Sequence, residues 1–272
     1  MGDIFVGVTD ADASRRAVDW AAQRAVDLGA RLVLVSVAPE APDPAEISPA
    51  FIVIEAERQR VEAEFAGVEC DVLALHGNPV AELVEASKHA DLLVIGDAEP
   101  GRHWGDHGRH IVSSAHVTVA VVPDVDLAGR AGVVVGIDGS EVTERALAFA
   151  ASEAERRGEP LIAVGAWMPV IVDDTAGLGG FGYIDATPID LQQPTTALVA
   201  EALAPVRAAH PELEIDERII EGDPATMLAH AAENAALLVV GTHGRGTLAR
   251  LFLGSVSDAV LTSPVTPTLA VR

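Results

Sequence analysis

Leu237-Leu238-Val239-Val240-Gly241-Thr242-His243-Gly244 is a run of four large aliphatic residues that enters a glycine-spaced turn. A strand covered by helices on both faces of a parallel sheet reads this way, because neither face meets water. Leu92-Leu93-Val94-Ile95-Gly96 repeats the run 145 residues earlier, and His76-Gly77-Asn78-Pro79 stands at the same offset from Glu221-Gly222-Asp223-Pro224. Nearer the start of each copy the offset is 129, which pairs Val6 with Val135, Gly7 with Gly136, Arg16 with Arg145, Ala17 with Ala146 and Gly29 with Gly158. The chain is therefore a duplicated unit. The segment Pro169–Pro194, rich in Gly, Asp and Pro, lengthens the second copy and reads as a long loop.

Each copy alternates strand and helix signals. In the first, strands are expected near Ile4–Val8, Arg31–Val37, Val68–Leu75, Asp91–Ile95 and Thr118–Val122. Its helices are expected near Ser14–Leu28, Ile47–Ala66, Pro79–Lys88 and His107–Ser114. In the second, strands are expected at Val133–Ile137, Leu161–Ala166, Leu213–Ile220, Ala236–Val240 and Thr268–Val271. Helices are expected over Glu141–Arg157, ended by Gly158, over Thr195–Ala209, from the cap Asp223 and Pro224 to about Asn234, and over Ser255–Leu261. Alternating βαβ units dictate a parallel sheet with helices on both faces. The fold class is α/β: two tandem flavodoxin-like, doubly wound domains of five parallel strands each, over 1–124 and 131–272, with Pro123–Ala131 as linker. The same elements could build one ten-stranded sheet; the repeat favours two five-stranded domains.

Composition bounds the function. The 272 residues are 49% hydrophobic and 22% charged, as a globular core requires, and only 4% aromatic, so Ala, Val, Leu and Ile must build it. The net charge of −23, with Lys88 as the one lysine, argues against nucleic acid and anionic membranes as partners. No apolar run reaches the roughly 18–20 residues that a membrane span needs. The stretch from Met1 to Val8 lacks a signal pattern, and a single cysteine, Cys70, suits a reducing compartment, so a soluble cytoplasmic protein is expected. Cys70 reads as packing rather than redox chemistry.

The chemistry sits in the second copy. Beyond the strand, Gly241, Gly244 and Gly254-Ser255-Val256-Ser257 form the pattern Gly-x2-Gly-x9-Gly-Ser. Glycines permit close backbone approach and positive φ. Gly254 to Ser257 start a helix, whose unpaired N–H groups and dipole favour a phosphate, and Ser255 and Ser257 can add hydroxyls. Arg245 reads either as a phosphate partner or as a solvated arginine, and His243 as a loop residue or a ligand neighbour. In the first copy Asp97 and Glu99 place negative charge in the corresponding loop, Glu99 stands where Gly244 stands, Gly105-Asp106 replaces Gly254-Ser255, and Thr9 replaces Asp138. Like charge repels a phosphate chain, so that copy is expected to bind such a ligand weakly or not at all. His103, Asp106, His107 and His110, with His116 beyond, raise a metal reading, but Gly105 and Gly108 weaken the helix that would gather them; a polar loop is the better reading.

Over nearly its whole length, as two copies, the chain resembles the ATP-binding members of the universal stress protein family. The resemblance implies that Gly241, Gly244, Gly254, Ser255, Val256 and Ser257 hold the ribose and phosphates of ATP. It implies that Ile137 and Asp138, at the end of the first strand, meet adenine and ribose, and that Val164 to Ala166 line the adenine pocket. Asp138 also reads as a helix cap, and the roles can coexist; Ser140 reads as a cap more than a ligand. The implied cofactor is ATP, with Mg2+ or Mn2+ on its phosphates, and the implied role is regulatory, in a stress response. The P-loop pattern Gly-x4-Gly-Lys-Ser/Thr is absent, so hydrolysis is expected to be slow at most. A true nucleotide hydrolase, a module that binds no nucleotide, and a flavoprotein-like FAD or AMP binder are the alternatives. The resemblance further implies that Thr118–Val122 and Thr268–Val271 pair, giving an intramolecular pseudo-dimer, alone or as half of a homodimer.

Overall fold

A computed structural model describes the chain except residues 1, 10, 41–46, 98–105, 172–187, 190 and 245–252; at 106, 170–171 and 188–189 it describes backbone only. The first half runs β1 (Asp3–Gly7), α1 (Asp12–Leu28), β2 (Arg31–Ala38), α2 (Pro49–Glu64), β3 (Glu69–His76), α3 (Pro79–Ala86), β4 (Leu92–Gly96), α4 (Asp106–Ser114) and β5 (Thr118–Val122). The second runs β6 (Val133–Gly136), α5 (Glu141–Arg157), β7 (Leu161–Trp167), a two-residue pair β8 (Val170–Ile171) and β9 (Pro188–Ile189), α6 (Gln192–Ala209), β10 (Ile215–Glu221), α7 (Pro224–Ala232), β11 (Leu237–Gly241), α8 (Ser255–Thr262) and β12 (Thr268–Val271).

The ends of these elements follow local chemistry. Asn78 accepts hydrogen bonds from the amides of Val80 and Ala81, and Asp223 from that of Thr226, each ahead of a proline in the first helical turn. Ser140 caps α5 by accepting from Thr143 N, and Gly158 ends that helix at φ 65°, a left-handed turn that favours glycine. The segment 169–194 departs from its reading as one long loop. Val170 pairs with Ile189 in the short antiparallel ladder, and α6 starts at Gln192. Pro194 then falls in the first turn, where its missing N–H breaks no helical bond.

Within each half the strands are parallel, in the order β3-β2-β1-β4-β5 and β10-β7-β6-β11-β12. This is the doubly wound arrangement, and the order reverses between β1 and β4 and between β6 and β11. The two halves meet edge to edge. β5 and β12 pair antiparallel, Ala120 opposite Leu269, and join the two five-stranded sheets into one of ten strands. The expected contact between the last strands is thus present, and the two-domain and ten-strand readings describe one object. Alternate strand residues feed two apolar layers. Ile4, Val6, Leu32 and Leu34 face α1 and α2, as their counterparts face α5 and α6; Phe5, Val33 and Val35 face the layer of α3, α4, α7 and α8.

Pairing around this junction is between equivalent positions of the two copies. On one face, Arg24 of α1 donates two hydrogen bonds to Glu153 of α5, at 2.6 and 2.7 Å, with both side chains under 10% exposed. Trp20 and Phe149, also equivalent, flank the guanidinium at 5.6 and 5.7 Å. Arg156 bridges Asp27 and Glu153. On the other face, Arg109 of α4 reaches Asp258 of α8 at 2.7 Å. Burial works against the charge of Glu153, but the hydrogen bonds and charges of Arg24 and Arg156 hold its carboxyl below the ordinary range.

Among the described residues no helix is long and apolar enough to cross a membrane. Cys70 is half-buried against the core, and burial pushes its thiol up to about 11, so it stays a thiol at neutral pH.

Candidate nucleotide site

At the second reversal point a cavity of about 1090 Å³ opens beyond the C-terminal ends of the strands. Ten expected site residues line it: Ile137 and Asp138 after β6, Val164 and Ala166 on β7, Gly241 and Gly244 at the end of β11, and Gly254, Ser255, Val256 and Ser257 at the start of α8. The eleventh, Arg245, lies outside the described residues, as does Arg250.

The start of α8 is built as an open donor site. Unlike α3, α5 and α7, it has no side-chain cap. The amides of Ser255, Val256 and Ser257 occupy the first turn, which has no helical acceptors of its own. Gly254 N donates to Thr242 O at 2.8 Å, which ties the helix start to the end of β11. Ser257 Oγ donates to Gly254 O and Thr242 O at 2.9 and 3.2 Å. Its proton is thereby engaged, so Ser257 positions the turn rather than offering a free hydroxyl donor. Ser255 is exposed.

The glycines act through size, not handedness. Gly241, Gly244 and Gly254 all avoid positive φ, contrary to one part of the sequence reading. A β-carbon on Gly254 would lie 3.3 Å from Ser257 Oγ and 3.4 Å from Gly244 N, inside the turn. One on Gly244 would lie 2.7 Å from Asp138 Oδ2. Asp138 holds its loop by accepting from Ser140 N at 2.9 Å and Thr143 Oγ1 at 2.5 Å through Oδ1. Ser140, not Asp138, caps α5.

His243 lines the same cavity. Its Nδ1 lies 2.9 Å from Thr242 Oγ1, and its buried Nε2 has no hydrogen-bond partner among the described residues. Burial, and then the charge of Arg272, push its imidazole below the ordinary value, which keeps the ring neutral at pH 7. The sequence reading missed the wall made by Trp167, Met168, Leu191, Thr195 and Leu198. Only the packing of α6 over β7 brings these residues there, although the alternation of Val164 and Ala166 pointed to their side.

The first half has a corresponding cavity of about 800 Å³, lined by Gly7, Thr9, Ser14, Val35, Gly96 and Asp97 among others. Asp97 is 8% exposed, its Oδ1 has no hydrogen-bond partner among the described residues, and burial pushes its carboxyl up to about 6. The sign follows from linkage. The native state binds this proton more tightly than the unfolded chain, so the stability it carries is full below about pH 3.8 and is lost as pH rises through about 6. Asp97→Asn is expected to flatten that decline and to raise stability at pH 7 by about 1–3 kcal/mol, read by urea unfolding at pH 4 and pH 7. An unchanged pH profile would refute it. Of the histidine cluster, His107 and His110 lie on α4, whereas His103 is outside the described residues. Among the described residues no group of three or more His, Cys, Asp or Glu side chains could hold a metal.

Comparison with known proteins agrees with this architecture. The universal stress protein family model matches residues 1–123 and again 131–272. A universal stress protein of Mycobacterium tuberculosis is 32% identical over 292 aligned positions, 99% of this chain and 96% of the relative. One of Mycobacterium bovis is 37% identical over 202 positions, 71% of this chain but 66% of that relative, slightly under two thirds of its length. The crystal structure of a universal stress protein from Archaeoglobus fulgidus superposes with a TM-score of 0.74 at 18% identity, over 99% of this chain and 98% of that one, and so shares its fold. With two matches of one model across nearly all its residues, and a relative matched over nearly the full length of both chains, the chain belongs to the universal stress protein family.

Proposed function

We propose that the second half binds ATP as a regulatory ligand, in a cytoplasmic stress response. The observation that carries the reading is the uncapped start of α8, which presents the amides of Ser255, Val256 and Ser257 to a cavity whose glycines leave room for a phosphate chain. The volume, about 1090 Å³, lies just above the roughly 300–1000 Å³ of ordinary small-ligand sites. The adenine would lie between Ile137, Val164 and Ala166 and the α6 wall, with the ribose beside Asp138. His243 Nε2, buried and without a partner among the described residues, would supply one further polar contact. The phosphates would run over Gly241, Gly244 and Gly254, with Mg2+ or Mn2+ carried on their oxygens.

The first half does not repeat these features. α4 begins with Asp106 where α8 begins with Ser255, and Asp97 stands in place of Thr242. Calorimetric titration of the chain with MgATP should therefore saturate at about one nucleotide per chain, and chromatography of the denatured protein should release adenine nucleotide. Two equivalents, or no saturable heat, would contradict the reading.

A further inference from the structure

We infer that the cavity of the first half is a second ligand site, selective for a primary ammonium carried on an apolar frame, with Asp97 as the counter-charge. The two copies place their carboxylates on opposite sides of the reversal point. In the second, Asp138 follows the first strand and Thr242 follows the fourth; in the first, Thr9 and Asp97 hold those places. The exchange changes what the carboxylate meets. Asp138 is exposed, and its Oδ1 accepts from Ser140 N and Thr143 Oγ1. Among the described residues no donor reaches Asp97 Oδ1. Ser14, the counterpart of Thr143, accepts from Thr9 N and donates to Gly7 O, and Thr9 Oγ1 accepts from Ala11 N.

A buried carboxylate oxygen without a donor is unfavourable, and such groups are rare unless a ligand or ion completes them. Here the oxygen belongs to a residue that lines a cavity of about 800 Å³, walled largely by apolar groups such as Val8, Val35, Val37, Val53 and Leu83, with the hydroxyls of Thr9, Ser14 and Ser36 beside them. Large apolar walls with one placed charge are the ordinary build of a small-molecule site. His107 is the other titratable side chain described in this lining. Phosphate is disfavoured, because Asp106 and Gly108 replace Ser255 and Ser257 at the helix start. A cation with N–H donors supplies both what Asp97 lacks and what the cavity repels least. The inference does not rest on ATP binding in the second half and survives its failure.

The full chain is titrated, by calorimetry and thermal shift, with three probes of one indole frame: tryptamine, the neutral alcohol tryptophol and the anion indole-3-propionate. Tryptamine should bind saturably, and about tenfold or more tightly than tryptophol, with indole-3-propionate weakest, as a charge-assisted hydrogen bond requires. Asp97→Asn should reduce tryptamine affinity by about tenfold and abolish the preference over tryptophol while the protein stays folded. Val53→Trp, which narrows the cavity and keeps Asp97, should weaken tryptamine as well. The inference fails if tryptophol binds as well as tryptamine, if Asp97→Asn keeps the preference, or if tryptamine does not saturate by about 10 mM. It fails equally if MgATP displaces tryptamine from a Gly254→Asp variant, because the first cavity would then be a nucleotide site.

Discussion

Glu153→Ala is expected to destabilise the chain by about 3–5 kcal/mol, because it leaves the Arg24 guanidinium buried between the halves with no counter-charge. The melting temperature should fall by about 10 °C. The argument predicts an inequality as well as a size. Arg24→Met combined with Glu153→Leu removes both charges and should lose less than the single change, since no desolvated ion remains. The Trp20 and Phe149 rings on either side would pack against the new apolar groups. Acid should act in the same direction. Glu153 has its carboxyl depressed below 4.5 in the native chain, so its contribution is full above that pH and is lost as pH falls through the lower native value. Urea unfolding of the two singles and the double variant decides the matter. A double variant that loses more than either single would show that the pair itself, and not the stranded charge, carries the stability.

Gly254→Asp is expected to weaken ATP binding by about a hundredfold or more while leaving the fold slightly more stable. The two effects have one origin. Gly254 sits at φ −63° and ψ 152°, which any residue adopts, and it is the N-cap of α8. Aspartate is among the best caps, so the substitution satisfies the amides of the first turn from within, worth a few tenths of a kcal/mol over glycine. Those same amides are the proposed phosphate donors, and the new carboxylate occupies their place with like charge. Gly254→Ala, which adds a methyl 3.3 Å from Ser257 Oγ without charge or cap, should reduce affinity by a smaller factor, on the order of tenfold. Calorimetry with MgATP beside a thermal melt measures both quantities. Affinity and stability falling together would indicate mere unfolding of the turn.

Most of the fold was legible because strands buried on both faces carry unbroken aliphatic runs. Leu92–Ile95 and Leu237–Val240 announce themselves, and Asp223-Pro224 and Ser140 mark helix starts through side chains that reach their own backbone. The location of the site was legible for a related reason: Gly241, Gly244 and Gly254 have no side chains to fill a turn. What the sequence concealed depends on long-range contact. Arg24 and Glu153 read as ordinary charges on amphipathic helices, 129 residues apart, and only the docking of the two halves buries them. Ser257 reads as a ligand hydroxyl, whereas its Oγ donates to the carbonyl of Gly254. The α6 wall of the cavity escaped because Pro194 looked like loop punctuation, whereas it lies in a first helical turn.

Where β5 meets β12, alanine faces leucine at corresponding positions, as arginine faces glutamate and aspartate on the flanking helices. Two identical copies meeting there would set Arg24 against Arg24 and Ala120 against Ala120, or Glu153 against Glu153 and Leu269 against Leu269, with repulsion and a void in one case and repulsion and crowding in the other. After duplication the siblings have become lock and key, each shaped to its twin and no longer to itself. Cut apart at the linker, they would be strangers to their own kind and recognise only each other.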